Sequence, residues 1–102
     1  MPSRREKLEA MLQGSPDDQL LRYMLAMELD KEGQSEPALE QFRVLMNVAP
    51  PYVPAFLMAG QLLARLDRVP EAKSVYTDGI AFANQQGNSH ASGEMAGFLS
   101  ML

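Results

Sequence analysis

The feature that most constrains this chain is a spacing. Residues of matching size and polarity recur 34 positions apart: Met24 with Met58, Ala26 with Gly60, Leu29 with Leu63, Ala38 with Ala72, and Phe42 with Tyr76. The N-terminal segment keeps the same phase, since Leu8, Met11, Leu12 and Pro16 precede Phe42, Leu45, Met46 and Pro50 by that interval. A period of this length marks a supersecondary unit that cannot bury its apolar face alone and stacks on its neighbours to do so. Small residues of the period belong where two helices cross closely. Large ones fill the gap between successive pairs.

Within each period the pattern is helical. Ser3 and Glu6 form a capping box ahead of Leu8, Met11 and Leu12, and Gly14 ends that helix. Ser15 is the expected cap of a second helix with Pro16 at its first position and Asp17 and Asp18 in its first turn. Its buried face is Leu21, Met24, Leu25 and Leu29, and it closes at Gly33. A third helix opens at Ser35-Glu36-Pro37, turns Ala38, Phe42, Leu45 and Met46 inward, and stops at Ala49-Pro50-Pro51. The fourth runs from Val53 to Leu66, with Phe56, Ala59, Leu63 and Leu66 inward. The fifth starts at Val69-Pro70-Glu71, turns Ala72, Val75, Tyr76, Ile80 and Ala83 inward, and runs to about Gln86. A sixth, Ser89 to Leu102, carries Met95, Phe98, Leu99 and Leu102 at helical spacing. Strand signals are almost absent, and short connections make antiparallel helical hairpins the natural arrangement.

Composition narrows the function. In 102 residues, 46% of them apolar, there is room for one domain with a modest core. No cysteine and a single histidine remove thiol chemistry and most metal chemistry. A net charge of −4 and no basic stripe argue against nucleic acid. The uncharged run Val44 to Ala64 is broken by Pro50, Pro51 and Pro54, so it reads as two helices and a turn rather than a membrane span. No apolar stretch follows the basic residues at the N-terminus, so the expected location is the cytoplasm.

These positions together resemble the tetratricopeptide repeat family. The matching pattern is Leu25-Ala26, Leu29, Gly33, Ala38, Phe42, Leu45 and Pro50 in one repeat. In the next it is Phe56, Ala59-Gly60, Leu63, Ala72 and Tyr76. The likeness covers about Pro16 to Asn84. Three positions depart from it: Arg22 stands where the family has a large apolar residue, Gly79 replaces the Leu45 type, and Asn84 replaces the closing proline. The resemblance implies an all-α fold of antiparallel hairpins stacked as a short right-handed superhelix. On that reading the chain is one domain over 1–102, with repeats at 17–50 and 51–86. Residues 4–13 are then a half-repeat helix over one end, and 89–102 a covering helix over the other.

The resemblance also implies a concave groove lined by the first helix of each repeat. By helical phase its residues are Leu20, Tyr23, Met27 and Lys31, then Pro54, Leu57, Gln61 and Arg65. The expected function is a non-enzymatic adaptor or scaffold module that binds an apolar or mildly acidic segment of another protein there. Co-chaperone members of the family grip a terminal carboxylate with basic and asparagine side chains. Tyr23, Met27, Leu57 and Gln61 at the centre of this groove do not offer that chemistry. The competing expectation is that residues 89–102 or a second subunit cover this face.

The tail supports that competitor. From Gly79 to Leu102 the only charged residue is Glu94. Met95, Phe98, Leu99 and Leu102 are therefore the expected self-association surface of a homodimer, with Gly93 and Gly97 spaced for close helix approach. Catalysis has few candidates. His90 with Glu94 one turn on is the single dyad, and its simpler reading is a surface pair. Glu28, Asp30 and Glu32 read as a solvated acidic face, and Arg5 with Glu9 as an i, i+4 ion pair. No catalytic, cofactor or metal site is expected, and no membrane or nucleic-acid partner.

Overall fold

The computed structural model describes all 102 residues, as six α-helices and no strand. They are α1 (Arg4–Gly14), α2 (Gln19–Lys31), α3 (Ser35–Met46), α4 (Val53–Arg65), α5 (Val69–Gln85) and α6 (Ser89–Ser100). The capping box of α1 forms as expected. The Glu6 amide donates to Ser3 Oγ and the Ser3 amide donates to Glu6 Oε1, both at 3.1 Å. The start of α2 differs. Its cap is Asp18, whose carboxylate accepts from the Leu21 amide at 3.0 Å, so Pro16 and Asp17 precede the helix. Ser15 is instead the C-cap of α1, donating its amide to the Met11 and Leu12 carbonyls, and lies three residues before the Asp18 cap.

Helices α2 and α3 form one hairpin, and α4 and α5 the next. Each is closed by the same turn one repeat apart. Gly33 adopts φ +80°, and the Gln34 amide reaches back to the Leu29 carbonyl at 2.9 Å. Asp67 adopts φ +59°, and the Arg68 amide reaches the Leu63 carbonyl at 2.9 Å. This left-handed closure satisfies the helix's last carbonyls and suits glycine far better than aspartate.

The hairpins join through α3 against α4, while α1 packs on α2 and α6 on α5. The stack is elongated, 43 × 29 × 18 Å. One core runs through Leu25, Ala26, Leu29, Phe42 and Leu45 into Ala59, Leu62 and Leu63. A second gathers Val53, Phe56, Tyr76, Ala83 and Met95 where α4, α5 and α6 meet. Two residues expected inward face water. Met11 stands one repeat before the buried Leu45, but α1 has only α2 as a neighbour, which covers Leu8 and Leu12 instead. Leu66 caps α4 beyond its last buried turn.

The departures from the repeat have physical reasons. A Cβ on Gly79 would lie 2.6 Å from both the Met95 sulfur and Phe56 Cβ, so glycine lets α5 approach α4 and α6 at once. A Cβ on Gly60 would fall 2.3 Å from the Tyr76 ring. Arg22 is satisfied at the seam of its hairpin. It donates to Gln41 Oε1 at 2.6 Å and to the Pro16 carbonyl at 3.0 Å. The Gln86 amide ties the end of α5 to the Pro51 carbonyl at 2.9 Å.

The acidic face of α2 is not merely solvated. Glu28 pairs with Arg4 at 3.3 Å, Glu32 with Arg5 at 2.9 Å and Asp30 with Arg65 at 2.7 Å, so it receives arginines from both neighbouring units. Arg5 also makes the expected pair with Glu9 at 2.8 Å. Arg68 bridges Glu36 and Glu71, linking the starts of α3 and α5. Hydrogen bonding from Arg68 holds the Glu71 carboxyl below its ordinary range, and the capping box does the same for Glu6.

Three outcomes are expected in urea denaturation. Gly60→Ala and Gly79→Ala should each destabilise by about 1–3 kcal/mol through overpacking. Gly93→Ala and Gly97→Ala, where a Cβ meets nothing within 4 Å, should each gain up to about 1 kcal/mol of helix propensity. Asp67→Gly should stabilise by about 1 kcal/mol by relieving the left-handed backbone. As to pH, Glu6 and Glu71 titrate lower folded than unfolded, so the unfolded chain binds these protons first. Their contribution is held above the ordinary carboxylate range and lost as pH falls through it toward the folded values. Glu71→Gln should therefore flatten the acid limb of the denaturation midpoint.

Candidate functional site

The layering of the helices defines an inner and an outer face. The backbones of α2 and α4, and of α4 and α6, come close, whereas those of α3 and α5 stay apart and are linked only through side chains such as Arg68 and Glu36. Helices nearer one another line the inside of a curve, so α2, α4 and α6 form the concave side. α6 packs on α5 and the near edge of α4 and does not reach α2. The inner face of α2 is thus left open by the chain's own tail.

On α2, Leu20 is 58% exposed and Met27 39% exposed, flanking Tyr23 at i, i+3, i+7 spacing. Tyr23 is half-buried, edge-on to Phe42 at 6.2 Å and tilted against Tyr52 at 5.5 Å. Burial, and then the neighbouring Tyr52, push its phenol above the ordinary value. Lys31 is exposed at the end of this row and makes no ion pair within the chain. On α4, Pro54 is exposed, while Leu57 is half-buried against the second core. Gln61 is half-buried and makes no side-chain hydrogen bond. Arg65 is exposed and held by Asp30. The phase-derived row is therefore one surface at α2, and it becomes a wall with a recess at α4.

That recess has a volume of about 400 Å³. Gln61, Ala64 and Arg65 of α4 line one side, and Phe98, Met101 and Leu102 at the end of α6 the other, over a floor of Tyr76. The Tyr76 and Phe98 rings stack at 6.1 Å with 12° between their planes. Burial raises the Tyr76 phenol above its ordinary value. Sequence phase marked Tyr76 only as core, and the tail as a covering helix or a self-association surface. The joining of the two into a pocket had no signal in the repeat pattern.

The tail divides. Met95 is completely buried against Gly79, so it belongs to the core and cannot serve a self-association surface. Phe98, Leu99 and Leu102 are half-buried, and Met101 is 74% exposed. Gly93 and Gly97 face open space, with no helix against them. His90 and Glu94 lie 3.2 Å apart on the outside of α6. No group of three or more His, Asp or Glu side chains converges to hold a metal ion, and no helix is long and apolar enough to cross a membrane.

No protein-family model and no curated protein matches the sequence. Solved structures do. A tetratricopeptide repeat domain protein from Salinibacter ruber, determined in solution, is 32% identical over 84% of this chain and 87% of its own, with a TM-score of 0.79. A crystal structure of a Salinibacter ruber tetratricopeptide repeat domain protein gives 32% identity over 83% of this chain and 94% of its own, with a TM-score of 0.75. A protein of Bordetella parapertussis, also solved in solution, covers 99% of this chain and 88% of its own at 29% identity, with a TM-score of 0.82. With the 34-residue period, the paired helices and these likenesses in agreement, the chain belongs to the tetratricopeptide repeat family.

Proposed function

We propose that this chain is a non-enzymatic adaptor that binds an apolar or mildly acidic peptide segment of another protein along the concave face of α2 and α4. The tetratricopeptide fold makes it a protein-interaction module in general terms, and the finer reading rests on one observation. The inner face of α2 carries Leu20, Tyr23 and Met27 in a row, and α6 does not reach them. Exposed large side chains aligned on one helix face lose water-exposed apolar area when a segment lies over them. Methionine and tyrosine suit that role because one adapts its shape and the other keeps a polar tip. Lys31 at the end of the row, free of any partner, favours an acidic residue in the segment. No cofactor or metal enters this reading.

The rival reading is a homodimer through the tail. It is favoured by Met101, 74% exposed beside the half-buried Phe98 and Leu102. Light scattering separates the two. A mass of one chain at all concentrations leaves the groove reading standing, and a mass of two that Met101→Glu reduces to one supports the dimer.

The groove itself is tested with peptides selected from a random dodecamer display on the wild-type protein. Leu20→Glu with Met27→Glu, both at exposed positions, should weaken the selected peptides about ten-fold or more while leaving the helical circular dichroism unchanged. Undiminished binding by that double variant would place the interaction elsewhere.

A further inference from the structure

Resting on the groove reading, a more specific site lies at its α6 end. The recess over Tyr76 falls within the size range of ligand pockets, about 300–1,000 Å³, at about 400 Å³. Its walls are mostly apolar: Ala64, Phe98 and Met101 surround the stacked Tyr76 ring. Two polar side chains stand among them. Gln61 makes no hydrogen bond within the chain, so its amide is free for a peptide backbone. Arg65 is the only charged side chain in the lining, and Asp30 engages only one of its nitrogens, Nη2, at 2.7 Å. The remaining guanidinium donors have no partner in the chain.

The charge around the recess decides what fits. The chain carries −4 overall, yet the rim presents Arg65, with the unpaired Lys31 one repeat away on α2. Of the nearby acids, Asp30 is paired with Arg65, and Glu94 lies beyond Phe98 on the outside of α6, 3.2 Å from His90. A second copy docking symmetrically on this recess would bring Arg65 toward its own counterpart, which like charge disfavours. An apolar group with a carboxylate beside it meets both the walls and the rim.

We propose that this recess is the anchor pocket for a large apolar side chain of a partner peptide that carries an acidic residue close to it. Arg65 meets the carboxylate, Gln61 the peptide backbone, and the Tyr76–Phe98 pair the buried side chain. α6 thus acts as a wall of the binding site as well as the cover of the second core.

Two fluorescent probes test the chemistry. Anilinonaphthalene sulfonate is an apolar ring system with one anion, and phenylnaphthylamine is its uncharged analogue. The folded protein should bind the sulfonate at a single saturable site. Arg65→Gln should weaken the sulfonate about five-fold and leave phenylnaphthylamine unchanged. Met101→Glu, at an exposed position needing no refolding, should weaken both dyes because it removes an apolar wall, and the sulfonate more than phenylnaphthylamine. Display-selected dodecamers should carry leucine or an aromatic residue with Asp or Glu nearby, and should displace the dye. Dye binding indifferent to both variants would overturn the proposal. So would selected peptides that leave the dye in place yet are lost in the Leu20→Glu, Met27→Glu variant, an outcome that keeps the groove reading and removes the pocket. A dimer that Met101→Glu dissolves would overturn it in favour of a second copy. Failure to select any peptide would sink both readings together.

Discussion

The structure depends on one kind of contact, a small residue of the first helix of a hairpin beneath an aromatic ring of the second. Gly60 under Tyr76 shows it most directly, since even a methyl group there would fall within 2.3 Å of the ring. Ala26 and Phe42 occupy the same two places in the first repeat, and both are fully buried. This contact sets how closely the helices of a hairpin approach. The closeness then sets where Leu29 and Leu63 sit, and so where the next hairpin packs. Interiors are close-packed, so one crossing distance propagates along the stack.

The second consequence appears at α6. Where the first repeat has Leu45 on its second helix, the second repeat has Gly79, and the space is taken by Phe56 and the sulfur of Met95. Removing a side chain from α5 therefore admits one from α6. That exchange fixes α6 against α5 and brings Phe98 over Tyr76, which creates the recess at the end of the concave face. The pocket is thus a by-product of the same tight packing that holds the second core.

Much of this was legible in the sequence. The period gave the six helices and their pairing, because proline, glycine and capping side chains act locally and apolar spacing acts over one helix. What was not legible came from contacts between units. The cap of α2 is Asp18, whose carboxylate takes the Leu21 amide, while Ser15 closes α1. Glu28, Asp30 and Glu32 found arginines of neighbouring units, whose reach no single-helix pattern encodes. Met95 read as surface because its burial depends on a glycine sixteen residues earlier on another helix. In the groove, phase placed Leu20 and Met27 on an open face, but the depth at Gln61 and Arg65 required α6, whose position phase alone does not fix.

The outer side of α6 differs in chemistry from the faces that α2 and α4 turn to the second helices of their hairpins. α6 continues the register of α2 and α4, and Glu94 falls 34 residues after Gly60, at the place where the aromatic ring of a second helix would lie. A carboxylate under such a ring would be buried without a partner, at a cost that the apolar contact does not recover. Gly97 likewise falls where Leu63 supplies core volume in the preceding repeat, so the surface there is both charged and hollow. The inner side of α6, by contrast, buries Met95 and presents Phe98 and Met101 to the recess. One helix therefore carries two opposed chemistries. Its outward face is made for water and its inward face completes a site, which is why the least charged segment of the chain borders the apolar recess over Tyr76.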